Sequence, residues 1–136
     1  MKAFLALKYH EGTADKELID TISAALAALN ISTVNMARDV EQFGQAQIPT
    51  NKKLMPDYAF PAMKDCDLFI VEFSQKGVGL GIGAGYAYAL GLPIFVLAKS
   101  NSEISETMAD LATKIEFYDD LSELPSAIIK MMEGSF

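Results

Sequence analysis

The sequence predicts a three-layer α/β domain built on a doubly wound, five-stranded parallel sheet in the order 2-1-3-4-5. Three observations carry this. The apolar runs at residues 68–71 (LFIV) and 94–98 (IFVLA) are continuous rather than alternating, as in strands covered on both faces. Between them, a polar and glycine-rich loop at 74–79 leads into a small-residue helical segment at 81–90, which makes a βαβ unit. Strand and helix patterns alternate along the rest of the chain. Right-handed crossovers then favour this strand order, with a switch point between strands one and three.

Residues 2–9 form the first strand, and His10-Glu11-Gly12-Thr13 a turn. Thr13 is placed to cap a helix running to about residue 29, with Asp15 and Glu17 in its positive first turn. Leu18, Ile22, Ala25, Leu26 and Leu29 share one face, and Asn30 ends the helix. Residues 31–37 read as a second strand and 38–53 as a long polar loop, a length that compact domains seldom carry without a use. A short helix is expected over 54–64, with Pro56 tolerated in its first turn and Pro61 interrupting it. After the central unit come a helix over 103–112 with Ser102 as cap, a strand over 114–118 and a final helix over 121–132.

One domain of 136 residues is expected, with hydrophobic residues (51%) sufficient for a sizeable core. No apolar run approaches the roughly 20 residues of a membrane helix, so no membrane partner is expected. The first residues, MKAFLAL, read as a strand rather than a signal-peptide core. The lone cysteine, Cys66, excludes an internal disulfide and fits a cytoplasmic location. A net charge of −7 without a basic stripe argues against a nucleic-acid polymer as partner.

Gly77, Gly79, Gly81, Gly83 and Gly85 recur at every second position. Residues 77–81 read either as a loop that cradles an anionic ligand at a helix N-terminus or as a site of tight helix–sheet packing. A dinucleotide fingerprint would follow the first strand, whereas these glycines follow the third, and no GK[ST] of a P-loop is present; no cofactor is expected. Glu72, at the end of a buried strand, is a candidate catalytic or ribose-binding carboxylate, or else a strand-end charge that reaches solvent or pairs with a cation such as Lys8 or Lys99. His10 has no nucleophile motif to serve, Cys66 reads as a small core residue, and no Cys/His cluster has metal-ligand spacing.

The segment from Asp67 to Gly91 resembles the nucleoside 2-deoxyribosyltransferase family, including the related 2′-deoxynucleoside 5′-phosphate N-hydrolases. Members carry an acid-apolar strand, a short loop and a motif G-[VL]-G-[YM]-E-L-G-x-A. Here the corresponding residues are Gly79-Leu80-Gly81-Ile82-Gly83-Ala84-Gly85-Tyr86-Ala87. The resemblance implies a flavodoxin-like fold, a small nucleoside or nucleotide as ligand, and a homo-oligomer whose neighbouring subunit helps complete the pocket. It implies ligand contacts from Tyr9, Gly12 and Thr13 on one side and Gly77, Gly79 and Gly81 on the other. In the family the motif Glu is the nucleophile that attacks the anomeric carbon; its position here is Gly83, and an Asp or Ser of active members corresponds to Gly77. Asp57 aligns with an acid that assists the base. Three expectations follow: a nucleotide binder impaired in the covalent mechanism, an N-glycosidase or transferase with its carboxylate relocated to Glu72 or Asp57, or an interaction protein without a small-molecule site.

Overall fold

In the computed structural model, which describes residues 1–10 and 13–135, five parallel strands pair in the order β2-β1-β3-β4-β5. They are β1 (Lys2–Leu7), β2 (Ser32–Val34), β3 (Leu68–Glu72), β4 (Ile94–Lys99) and β5 (Lys114–Tyr118). Every residue of β3 is buried, as is β4 up to Ala98, which accounts for their unbroken apolar sequence. The helices are α1 (Thr13–Ala27), α2 (Met36–Asp39), α3 (Phe60–Lys64), α4 (Val78–Ala89), α5 (Glu106–Leu111) and α6 (Leu124–Met132). None is long and apolar enough to cross a membrane, among the described residues.

Strand parity sorts the core into two layers. Leu68 and Ile70 join Ile19, Ile22 and Leu26 of α1 and Ile128 and Met131 of α6. Phe69 and Val71 point the other way, into a layer with Met63 of α3, Leu80, Ala84 and Ala87 of α4, and Met108 of α5. Successive side chains of a strand leave opposite faces, so Glu72 shares the α1/α6 face with Ile70.

Several boundaries differ from the sequence expectation. β1 stops at Leu7, not Tyr9, and β2 covers only Ser32–Val34, not 31–37. Asn35 is the reason: its side-chain oxygen accepts from the Arg38 N–H (2.9 Å), while its Nδ2 donates to the Leu5 carbonyl (2.9 Å). It therefore caps α2 and turns the chain off the sheet edge. The 38–53 loop accordingly starts inside α2 and contains a tight turn at Gln42–Gly44. The expected helix at 54–64 is present, wound as a π-helix over Leu54–Ala59 before α3. Pro61 does not end it: the helix runs on from the π-helix through Phe60, whose N–H donates to the Met55 carbonyl, into α3.

α4 starts at Val78, so Gly79 and Gly81 are helical rather than loop residues. α5 starts at Glu106 with Ser105 as its cap, its Oγ accepting from the Met108 N–H (3.3 Å), in place of Ser102. The last helix opens with a turn at Leu121–Glu123, closed by a reciprocal cap between Asp120 and Glu123.

Candidate functional site

The short β2 builds the site. β1 pairs with β2 only through Phe4, but with β3 through Leu7. Beyond Phe4, the β2 side of β1 is left to residues that are not in the sheet. A cavity of about 490 Å³ opens there, at the switch point between β1 and β3. Its floor is the end of β1 with Lys8 and Tyr9; its walls come from Met36, Leu54, Met55 and Met63, and from Gly77, Gly79, Leu80 and Gly83. Ligands of doubly wound sheets bind at this place.

The positive end of α4 faces this cavity. Gly77 is the N-cap and has no side-chain oxygen to offer. The first bond within the helix runs from the Gly81 N–H to the Gly77 carbonyl (3.3 Å), so the N–H groups of Val78, Gly79 and Leu80 precede it and are left for another acceptor. A Cβ on Gly77 would lie 3.7 Å from Cδ of Lys8. An ammonium stem and an uncapped helix N-terminus therefore adjoin, and Lys8 makes no ion pair among the described residues. Such a pairing favours an anion.

Gly83 is buried and lines the same cavity. A Cβ there would meet Met63 Cε and Phe69 Cζ at 3.4 Å each, at the near edge of ordinary contact, so the position admits a Cβ. A Cβ on Gly79, Gly81 or Gly85 would meet nothing within 4 Å. Close packing within the chain therefore requires none of these three, contrary to a pure packing origin. Gly81 is exposed and lines a separate shallow groove with Phe73 and Met108.

Glu72 does not reach this cavity. It opens on a second one, of about 460 Å³, with Ser74, Lys99, Tyr118 and Asp119. Neither lysine pairs with it. Instead Oε1 accepts from the Ser74 N–H (2.7 Å), and Oε2 from Ser74 Oγ (2.8 Å) and the Tyr118 hydroxyl. Lys99 contributes its backbone N–H, which donates to Ser74 Oγ (2.8 Å). Burial and the adjoining carboxylate push the Tyr118 phenol well above its ordinary value. Glu72 is thus a buried carboxylate whose donors all come from within the fold.

Asp57 is exposed, and its Oδ2 accepts from the Lys53 N–H (2.6 Å); it ties down the start of the π-helix and does not line the cavity. Tyr9 does line it, with its ring on Phe43 (centroids 5.7 Å apart). Gly12 and the Thr13 side chain lie outside the described residues. His10 is exposed; its backbone N–H donates to Asp15 Oδ2 (2.6 Å), which also lies 3.2 Å from its ring Nδ1. Cys66 is buried, and desolvation pushes its thiol up to about 11. Of the two α4 tyrosines, Tyr86 stacks on Phe60 (centroids 4.1 Å) and Tyr88 is exposed.

Glu41 was not legible as a site residue. It lines the β1–α4 cavity, half-buried, from the loop after α2. The next three residues all have positive φ: Gln42 (49°), Phe43 (55°) and Gly44 (90°). For the two with side chains this costs about 1–2 kcal/mol each. Phe43 is held by Tyr9 on one side and by Lys16 Nζ, 4.8 Å from its ring centre. Arg38 fastens the base of the loop through Asp39 (2.8 Å) and the Thr33 carbonyl (2.9 Å). Burial raises Asp39, but the bonds from Arg38 and the Asn35 N–H more than reverse this and hold it below its ordinary value. Among the described residues, no group of three or more His, Cys, Asp or Glu side chains is placed to hold a metal ion.

No family model and no curated protein sequence matches this chain. Solved structures do. A flavodoxin from the domain Archaea superimposes with a TM-score of 0.53 at 13% identity, over 98% of this chain and 97% of that one. The fold is flavodoxin-like. Two higher-scoring neighbours of this flavodoxin-like chain are enzymes. The CMP N-glycosidase BcmB of Clostridium botulinum gives a TM-score of 0.68 at 19% identity, over 96% of this chain and 99% of that one. The 2-deoxyribosyltransferase of the psychrotolerant Bacillus psychrosaccharolyticus gives 0.66 at 14% identity, over 92% and 90%. At these identities the likeness is one of fold.

Proposed function

We propose that this chain binds a nucleoside 5′-monophosphate in the cavity between β1 and α4, and that it is impaired in covalent glycosyl transfer. The observation that carries the reading is the meeting of Lys8 with the uncapped first turn of α4, a place for the phosphate at the edge of a cavity with largely apolar walls. Gly77 and Gly79 bring the backbone to the phosphate, and Tyr9 flanks the sugar or base. The two enzymes of the same fold, a CMP N-glycosidase and a 2-deoxyribosyltransferase, support a nucleoside-related ligand. Gly83 lines the cavity without a functional group, and losing a covalent nucleophile costs many orders of magnitude in rate. Glu72 and Asp57 are poor replacements, since neither lines this cavity.

The test compares the wild type with Gly83→Glu. Calorimetry against nucleosides and 5′-monophosphates is expected to give binding of a monophosphate to the wild type. Chromatography is expected to find free base only with Gly83→Glu. Base release by the wild type overturns the impaired reading, and absence of nucleotide binding overturns the cradle.

A second proposal concerns assembly. The outer side of α4 presents Val78, Ile82 and Tyr88, exposed at 82%, 50% and 60%, beside Gly81 and Gly85. A second copy packed there would bury these side chains and bring backbones close at the glycines. Sedimentation analysis of the wild type and Ile82→Lys is expected to give a dimer and a monomer; two monomers overturn it.

A further inference from the structure

We infer that Glu41 reads the base of the bound nucleotide and selects one that carries an amino group, such as cytosine, over its oxo counterpart, uracil. The inference rests on the monophosphate reading above and adds the ligand's other end.

Among the described residues, Glu41 is the one acidic side chain lining the cavity. Among the described residues its carboxylate makes no ion pair and receives no hydrogen bond, in contrast to Glu72, Asp57 and Asp39. A half-buried carboxylate without a donor leaves acceptor capacity for a ligand. Its backbone is held firmly: its N–H donates to the Met36 carbonyl (2.9 Å), and its own carbonyl accepts from the N–H groups of Gly44 and Ala46 (3.0 Å each). The left-handed turn that follows is pinned by Tyr9 and Lys16 through Phe43. Conformations of this kind persist where the surroundings over-determine them, and they cluster at ligand clamps.

Topology decides which end of the ligand Glu41 meets. It follows β2, and Gly77 follows β3; β1 lies between them. Two strand spacings are about 10 Å. A phosphate beside Gly77 and Lys8 therefore directs the far end of the molecule to Glu41, and in a nucleoside 5′-monophosphate the far end is the base. Like charge also keeps the phosphate away from Glu41. An ionised carboxylate only accepts hydrogen bonds. It is satisfied by the amino group of cytosine and opposed by the carbonyl oxygen that uracil carries at the same place.

The test uses CMP, UMP and dCMP as calorimetric probes against the wild type and Glu41→Gln, with thermal melts to establish that both are folded. The wild type is expected to bind CMP about tenfold or more tightly than UMP, with dCMP close to CMP. In Glu41→Gln, whose amide both donates and accepts, the CMP/UMP ratio is expected to fall toward one. A ratio near one in the wild type, or one that survives the substitution, overturns the assignment to the base. A gap between CMP and dCMP that Glu41→Gln removes also overturns it, by moving Glu41 to the sugar. If the wild type binds none of the three, the phosphate cradle fails and this inference falls with it.

Discussion

The Tyr118 hydroxyl, on β5, donates across β4 to the buried carboxylate of Glu72, on β3. This places the strand-end acid on the α1/α6 face, while Gly83 lies on the other, against Met63 and Phe69. The bond also closes a small network in which Ser74 donates twice to Glu72 and accepts from the Lys99 N–H. Removing one member leaves the carboxylate short of a donor in a buried place. Tyr118→Phe is therefore expected to lower unfolding free energy by about 1–3 kcal/mol, read from the urea midpoint. Nucleotide affinity should be unchanged, because the network lies outside the β1–α4 cavity; a large loss of affinity would join the two sites after all.

The same residue gives an alkaline signature. Tyr118 holds its proton well above the ordinary value of 10.0, and Cys66 rises from 9.0 to about 11. Between pH 9 and 11 the unfolded chain releases protons that the folded chain keeps. The unfolded state then binds fewer protons, so stability falls as pH rises through this range. Denaturation curves at pH 8, 9, 10 and 11 should show progressive loss, less steep in Cys66→Ala. Ellman's reagent at pH 8 should leave Cys66 unreacted until denaturant is added.

Glycine in a helix interior costs up to about 1 kcal/mol relative to alanine, and Gly81 and Gly85 have open space where a methyl group would stand. Gly81→Ala and Gly85→Ala should each raise unfolding free energy by about 0.5–1 kcal/mol at protein concentrations low enough to keep the chain monomeric. A dimer packed through α4 would oppose this, so the same variants should dissociate more readily in sedimentation. Stabilisation with no change in association argues against the α4 interface.

Lys8→Ala separates the phosphate from the rest of the ligand. Its side chain lies beside Gly77, so a 5′-monophosphate should bind about tenfold more weakly, and more so at low salt. The matching nucleoside should bind unchanged. Equal losses for both would move Lys8 away from the phosphate.

The sheet was legible because parallel strands buried on both faces have no polar residues to interrupt them, and right-handed crossovers favour the 2-1-3-4-5 order among the few doubly wound arrangements. α4 was harder. Its glycines erase the apolar period that marks a helix start, so Gly79 and Gly81 read as loop. The length of β2 turned on one side chain, Asn35, whose bond to the Leu5 carbonyl has no sequence signature beyond a capping residue type. The side of Glu72 was available from parity, since Phe69 and Val71 precede it at odd positions and pack under α4. Glu41 was not available: it sits in a stretch without period, positioned by a left-handed turn that only Gly44 announces.

The early end of β2 also bears on how such a protein can change. The Glu41 side of the cavity is carried by a segment that hangs from Asn35 and Arg38 and rejoins the body at Lys53. No ladder hydrogen bond passes through it. Residues 40–53 thus lie outside the sheet and touch the body chiefly through Phe43, which packs on Tyr9 and against the α1 side of the core. The molecule is in this sense a fixed handle with a variable bit, and a library over that segment that keeps Phe43 would alter the Glu41 end of the cavity while leaving the sheet ladder untouched.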